Sequence, residues 1–150
     1  MADITIYTDG SSRGNPGPGG FGSVLISGNH RKEISGGFKF TTNNRMELMG
    51  VICALECLKT SGHSITIYSD SQYVVNSISK GWVFNWIKKK KNFPNSDLWF
   101  RFLNVYPNNK LNFIWVKGHA DNEENNRCDY LATTAAKSQK LSDDIGYIKK

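Results

Sequence analysis

The hexapeptide ITIYTD at residues 4–9 recurs almost unchanged as ITIYSD at residues 65–70. In both copies apolar and polar residues alternate, which predicts a strand with one buried face, and both copies end on an aspartate. A helix-forming stretch between them can act as the crossover that joins two parallel strands. Equal alternation then places Asp9 and Asp70 on the same side of the sheet, at the carboxyl ends of neighbouring strands.

The segments around this pair predict the remaining elements. Residues 21–27 and 32–40 read as strands joined by the hairpin signal Gly28-Asn29, and with the first strand they form an antiparallel meander. The glycine- and proline-rich stretch 10–20 is predicted to be a loop. Helices are expected at 44–59, 71–79, 96–105 and 123–138, a short strand at 64–69 and a last strand at 111–116. The sequence therefore predicts an α/β fold, a mixed sheet with helices packed on it.

Length and composition indicate one folded domain over residues 1–150, with a loosely held tail from about residue 139. The 150 residues are 39% hydrophobic, and no segment approaches the roughly 20 apolar residues that cross a bilayer. No charged-then-apolar leader precedes the first strand, so we expect a soluble, cytoplasmic protein. No long apolar seam is present, so we expect a monomer with no membrane association and no obligate protein partner.

Charge and cysteine content narrow the chemistry. A net charge of +6 and a pI of about 9.3 favour a polyanionic partner such as nucleic acid. The three cysteines cannot all pair and form no Cys-x-x-Cys pattern, so neither structural disulfides nor zinc are expected.

Four of the 13 acidic residues stand at positions that differ from an ordinary surface charge. Asp9 and Asp70 end apolar strands, whereas Glu47 and Asp129 each begin an apolar helical stripe. The apolar residues that follow are Val51, Ala54 and Leu58 in the first stripe, and Ala132 and Ala136 in the second. Each of the four carboxylates is thus predicted to lie at the rim of the core.

Carboxylates that are forced together in a partly dry place repel one another unless cations neutralise them. Magnesium prefers oxygen ligands and keeps part of its water shell, which suits a site of Asp and Glu without histidine or cysteine. Two such ions roughly 3.5–4 Å apart can support hydrolysis of a phosphodiester. The four acids therefore predict a magnesium-dependent phosphodiesterase site.

Six short segments carry a resemblance that spans nearly the whole chain. They are TDGS at 8–11, GNPGPGG at 14–20, TTNNRMEL at 41–48, SDSQYV at 69–74, VKGHA at 116–120 and NRCDYLA at 126–132. In these segments and in their order the sequence closely resembles bacterial type I ribonuclease H.

The resemblance implies a fold and an activity. The fold is the ribonuclease H-like one, a five-stranded mixed sheet flanked by helices. The activity is endonucleolytic hydrolysis of the RNA strand of RNA–DNA hybrids by a two-metal-ion mechanism, leaving 5′-phosphate and 3′-hydroxyl ends. The metals, two Mg²⁺ ions with Mn²⁺ as the alternative, are held by Asp9, Glu47, Asp70 and Asp129. His119 is implied as an auxiliary catalytic residue that assists proton movement or product release.

Amide side chains beside the acids are candidates for reading the 2′-hydroxyl, which distinguishes RNA from DNA. The resemblance assigns this neighbourhood to sugar and minor-groove contacts; the residues are Asn15, Asn43, Asn44 and Gln72. An alternative for Asn15, which precedes a proline, is that it only satisfies backbone groups of a turn.

A second candidate surface is the segment 80–91, in which tryptophans alternate with lysines, a combination that can follow phosphates and pack on sugars or bases. It resembles the family's basic handle, and its candidate substrate contacts are Trp82, Trp86, Lys88 and Lys89. The tryptophans could equally be core residues. Between Trp86 and Trp99 the chain is several residues shorter than the familiar bacterial form, so the handle is expected to be trimmed.

Two other functions remain open from the sequence. One is a non-catalytic module that binds hybrids or double-stranded RNA, and the intact set of four acids argues against it. The other is a nuclease of related fold that acts on DNA; the pair Asn43-Asn44 and Gln72 favour RNA in a hybrid instead.

Overall fold

The computed structural model describes residues 3–89, 93–117 and 122–147. The elements are β1 (Asp3–Ser12), β2 (Gly17–Ser27), β3 (His30–Thr41), α1 (Asn43–Glu56), β4 (Ser64–Ser69), α2 (Gln72–Ser79), α3 (Trp82–Lys89), α4 (Ser96–Val105), a 3₁₀ turn (Tyr106–Asn108), β5 (Lys110–Trp115) and α5 (Glu123–Ala136). Within these described ranges no helix is long and apolar enough to cross a membrane.

The strands form one mixed sheet in the order β3-β2-β1-β4-β5. β1, β2 and β3 are an antiparallel meander, whereas β4 is parallel to both β1 and β5. The two copies of the repeated hexapeptide pair directly, with Thr8 opposite Ser69. This confirms the parallel pairing that the repeat predicts, and it leaves Asp9 and Asp70 next to each other in the same register.

Helices cover both faces of the sheet, and alternate residues of β2 show which helix lies on which face. The Ser23 hydroxyl donates to the Gly50 carbonyl of α1 at 2.9 Å. Its neighbour Gly22 lies against α5, where a Cβ atom would come within 2.6 Å of the Cys128 carbonyl oxygen. Because successive residues of a strand point to opposite faces, α1 and α5 lie on opposite sides of the sheet.

The main apolar core lies on the α1 side. Ile6 of β1 and Ile67 of β4 are fully buried there, and so are Trp99 and Phe102 of α4. α4 packs on α1, and α2 contacts both α1 and α3. The core therefore holds the strands that end on Asp9 and Asp70 together with the helix that bears Glu47.

Two predicted boundaries differ from the structure for reasons of tertiary packing. β1 continues to Ser12 and β2 begins at Gly17, so only residues 13–16 of the predicted loop 10–20 lie outside strands. Two of these glycines, Gly20 and Gly22 in β2, lie where α5 packs so closely that a side chain would not fit; at Gly20 a Cβ would lie 2.5 Å from the Ala132 carbonyl oxygen. The aromatic and lysine-rich segment also contains a helix, α3, that its composition did not predict.

The buried stripe of α5 contains the two predicted alanines and extends further toward the start of the helix. It consists of Asn125, Cys128, Ala132 and Ala136. Asp129 follows Cys128 and is half-buried at the edge of this stripe. Ala132 and Ala136 are thus buried as their spacing from Asp129 predicts, and Asp129 lies at the rim of the stripe because Cys128 faces the sheet in its place.

The end of the chain is anchored as far as it is described. Ser142 forms a parallel bridge to Phe38 of β3, and the Asp144 side chain is almost completely buried. These contacts differ from the loosely held tail that was expected from about residue 139. The sequence of the tail did not reveal that Asp144 pairs with a buried, positively charged side chain.

Candidate active site

Three acidic side chains meet at the carboxyl ends of β1 and β4. Asp9 lies in β1, Asp70 directly follows β4, and Glu47 reaches them from the second turn of α1. Each offers a carboxylate oxygen, and these oxygens all lie within 4.8 Å of one another. Among the described residues this is the group of carboxylates whose spacing would allow a shared cation.

A glycine makes this close approach of α1 to β1 possible. The Gly10 N–H donates to Asp9 Oδ1 at 2.9 Å and also to Glu47 Oε1. A Cβ atom on Gly10 would lie 2.5 Å from the Met46 carbonyl carbon, and backbone atoms cannot yield as a flexible side chain can. The glycine therefore brings Glu47 and Asp9 together and supplies a donor to both.

The pKa values of Asp9 and Glu47 are both raised, because these carboxyl groups are buried beside other acidic groups. Burial, followed by the negative charges of Asp70 and Asp129, raises the pKa of Asp9 to about 7, although hydrogen bonds from Glu47 and Gly10 act in the opposite direction. Burial and then repulsion from Asp9 hold the pKa of Glu47 well above its ordinary value. A bound divalent cation would remove this penalty by pairing with the charged forms.

The donor set fits a hard cation. All three side chains offer oxygen, and neither histidine nor cysteine stands in the cluster. Such ligands suit Mg²⁺ or Mn²⁺ and disfavour zinc, which prefers nitrogen and sulfur.

The other two predicted catalytic residues are placed differently. Asp129 on α5 is not within the 4.8 Å cluster, although its charge acts on Asp9. Two residues before Asp129 in the same helix, Arg127 donates to Glu33 at 2.7 Å and so links α5 to β3. His119 lies outside the described residues.

Polar side chains continue the site into a groove. The predicted residues Asn43, Asn44 and Gln72 are exposed and line it together with the three acids. The groove is also lined by Ser11, Ser71 and Tyr73, which the sequence analysis did not single out. Ser71 and Tyr73 flank Gln72 in the segment SDSQYV, so their position beside Asp70 was the signal that could have indicated them.

Asn15 and Asn43 also have structural partners. The Asn43 N–H donates to Asn15 Oδ1 at 3.1 Å, and Asn43 Oδ1 accepts from the Ser12 N–H at 2.8 Å. Asn15 therefore does satisfy a backbone group, at the start of α1. These bonds occupy the oxygen of each amide, whereas an amide also carries two N–H donors.

The tryptophans and lysines of α3 divide between core and surface. Trp82 is 41% exposed, and Lys88 and Lys89 are exposed in the last turn of the helix. Trp86 is half-buried, with its ring centroid 6.3 Å from that of Trp99. The structure thus leaves one exposed tryptophan and two lysines on this helix and places Trp86 mainly against the core.

Comparison with known proteins decides the family. The RNase H family model matches residues 1–137. The chain belongs to the ribonuclease H family. A curated Ribonuclease H from Syntrophus aciditrophicus (strain SB) is 52% identical over 150 residues, which cover 96% of this chain and 86% of that protein.

Solved ribonuclease H structures share the fold. LC9-RNase H1, a type 1 RNase H with the type 2 active-site motif, superposes with a TM-score of 0.84 at 29% identity, covering 95% of this chain and 75% of that one. LC11-RNase H1, solved in complex with an RNA/DNA hybrid, gives a TM-score of 0.71 at 27% identity, covering 89% and 96%. The predicted ribonuclease H-like sheet of five strands flanked by helices is therefore confirmed.

Proposed function

We propose that this chain is an endonuclease that hydrolyses the RNA strand of RNA–DNA hybrids, with divalent cations held by Asp9, Glu47, Asp70 and Asp129. The observation that supports this most directly is the meeting of three carboxylates beside a polar groove. Burying like charges costs folding free energy, so the cluster has a physical rationale as a cation site. That rationale also disfavours a module that only binds nucleic acid.

Each acid has a distinct task in this proposal. Asp9 and Asp70 provide oxygen ligands at the ends of rigid strands, and Glu47 adds a ligand from α1. Asp129 contributes negative charge from the α5 side and would complete the ligand set when cations are bound. When bound, two Mg²⁺ ions, or Mn²⁺ in their place, would stabilise the negative charge that develops on the phosphate as water attacks it.

Residues in the groove and on the surface around it would account for substrate choice. The amide N–H donors of Asn15, Asn43, Asn44 and Gln72 can hydrogen-bond to a 2′-hydroxyl and to sugar oxygens. Trp82, Lys88 and Lys89 would contact the backbone of the hybrid, and Trp86, which packs on Trp99, would offer only its exposed edge to the substrate. His119 would assist proton movement or product release. The products would carry 5′-phosphate and 3′-hydroxyl ends.

A cleavage assay on four substrates tests this function. We expect the protein to cut a hybrid labelled on its RNA strand in the presence of Mg²⁺ and to leave it intact with a chelator. RNA duplex, DNA duplex and single-stranded RNA should remain uncut under the same conditions. Cleavage of every substrate, or of none, would contradict the proposal, and cleavage of DNA alone would favour the related-fold DNA nuclease. A monomeric state and a cytoplasmic location remain predictions from the sequence.

The raised pKa of Asp9, about 7, predicts that protons compete with the metal. Below pH 7 the carboxyl must lose a proton before it can bind a cation, so the concentration of Mg²⁺ that gives half-maximal activity should rise by about fivefold from pH 7 to pH 6. Between pH 8 and pH 9 it should change little. The maximal rate at saturating Mg²⁺ serves as the internal control, and the same half-saturating concentration at pH 6 and pH 8 would refute the competition.

The stability of the metal-free protein should show the same shift. Because the folded state raises the pKa of Asp9, it binds more protons than the unfolded chain between the two pKa values. Its stability should therefore fall as the pH rises from about 4 to about 7, and added Mg²⁺ should restore it. Thermal unfolding at several pH values, with and without Mg²⁺, measures both effects.

A further inference from the structure

Residues 141–147, which we call the C-terminal strap, cross the end of β3 and the start of α1. The Ser142 N–H donates to the Gly37 carbonyl at 3.0 Å, and the Lys39 N–H donates to the Ser142 carbonyl at 2.8 Å. Further along the strap, the Tyr147 ring packs 5.5 Å from that of Phe40. The strap is therefore attached to β3 through both backbone and side chains.

Asp144 connects the strap to α1 through a buried ion pair. Its carboxylate accepts from Arg45 Nε at 2.7 Å, from Arg45 Nη2 at 2.9 Å and from the Thr41 hydroxyl at 2.7 Å. The side chains of Arg45 and Asp144 are each only 2% exposed. Arg45 stands between the groove residue Asn44 and Glu47, so the ion pair fixes the first turns of α1.

The same guanidinium also holds the start of α4. Arg45 donates to both carboxylate oxygens of Asp97, at 2.8 and 2.6 Å. It also contacts Asn95 Oδ1 at 3.5 Å. Asn95 in turn donates from Nδ2 to the Tyr73 hydroxyl at 3.0 Å, and Tyr73 lines the groove beside Gln72. One hydrogen-bonded network thus links the strap to both walls of the groove.

We propose that Asp144 is a positioning residue for the hybrid: through Arg45 the C-terminal strap holds the α1 wall and the α2 wall of the groove at the spacing the substrate requires. This inference rests on the proposed function and adds to it a segment of the chain that contains none of the four acids. Without Asp144, Arg45 of α1 would still pair with Asp97 at the start of α4 and lie 5.7 Å from the centroid of the Tyr147 ring, but the charged hydrogen bonds from the strap carboxylate would be gone. The two walls would then lose their common anchor to the strap.

The substitution Asp144→Asn tests this role. We expect the KM for hybrid to rise at least about fivefold while kcat at saturating hybrid and Mg²⁺ changes less than about twofold, because bound substrate would restore the spacing of the walls at the expense of binding. The direction of the change in KM is informative. Removing a negative charge near a polyanion should by itself lower the KM, so a rise cannot come from bulk electrostatics.

The neighbouring residue provides a matched control. Asp143 is 78% exposed and has only Lys39 within reach, at 3.6 Å, among its described ion-pair partners. Asp143→Asn removes the same charge one residue away, and its KM should stay equal to or slightly below that of the unchanged protein. All measurements are made at a temperature where near-ultraviolet circular dichroism shows that the variants are folded.

A milder variant covers the case in which Asp144→Asn does not fold. Thr41→Val removes only the hydroxyl that donates to Asp144, and the KM should rise about twofold with kcat retained. A lowered melting temperature with unchanged KM in both variants would overturn the proposal and leave the strap a purely stabilising element. Failure of the proposed function is distinguishable, because the unchanged protein would then not cleave hybrid at all.

Discussion

Asp70→Asn is expected to abolish cleavage of the hybrid while leaving its binding intact. The substitution keeps the size of the side chain but removes one of three carboxylates whose oxygens lie within 4.8 Å of one another. Loss of a ligand for the catalytic cations removes several kcal/mol of transition-state stabilisation, which corresponds to a fall in rate of about three orders of magnitude. Initial rates on a labelled hybrid with saturating Mg²⁺ measure the loss.

The affinity of Asp70→Asn for hybrid should rise or stay unchanged. The variant lacks one negative charge near the phosphates, so its Kd for hybrid should be equal to or below that of the unchanged protein. Fluorescence anisotropy in chelator compares the two without cleavage. Asp3→Asn, an exposed position at the other end of β1, is the control and should retain full activity. Activity within threefold of normal in Asp70→Asn would remove that residue from the site.

Gly10→Ala is expected to cost both stability and activity, although it changes only one methyl group. The new Cβ would lie 2.5 Å from the Met46 carbonyl carbon, so β1 and α1 must move apart. Overpacking of this kind costs about 2 kcal/mol, or about 4–8 °C in Tm for a chain of this size. Glu47 would move away from Asp9, and a displacement near 1 Å can lower the rate by about 100-fold.

Gly28→Ala separates this clash from the general effect of replacing glycine. Gly28 has φ +57° in the β2–β3 turn, and nothing lies within 4 Å of a Cβ placed there. Its cost should be about 1 kcal/mol from the left-handed backbone alone, with normal activity. Equal losses in the two variants, measured by thermal unfolding and initial rates, would show that close packing at Gly10 is not what sets the geometry.

The sequence was most informative where one local pattern had one physical explanation. The repeated hexapeptide predicted the parallel pair β1 and β4, because alternation and a matching terminal aspartate leave little freedom of register. It also predicted that Asp9 and Asp70 would adjoin. Glu47 followed from an apolar stripe that indeed faces the core, with Val51 and Ala54 fully buried.

Prediction was weaker where contacts between distant segments override local composition. The glycines of β2 read as turn formers, yet they lie in a strand, and α5 packs directly on Gly20 and Gly22. In α5 the alanines of the stripe were predicted but Cys128 was not, since Cys128 and Asp129 both fit a spacing of three to four before Ala132.

The sequence by itself determined the order of the strands and of the helices other than α3, and it singled out the three acids that the structure brings together, because both depend on local periodicity and on short motifs. Only the tertiary structure decided how close the acids come, that Gly10 must be a glycine, and that Asp144 is buried against Arg45. These properties depend on distances between segments up to 99 residues apart in the chain. Such distances are set by packing across the sheet, and no local pattern encodes them.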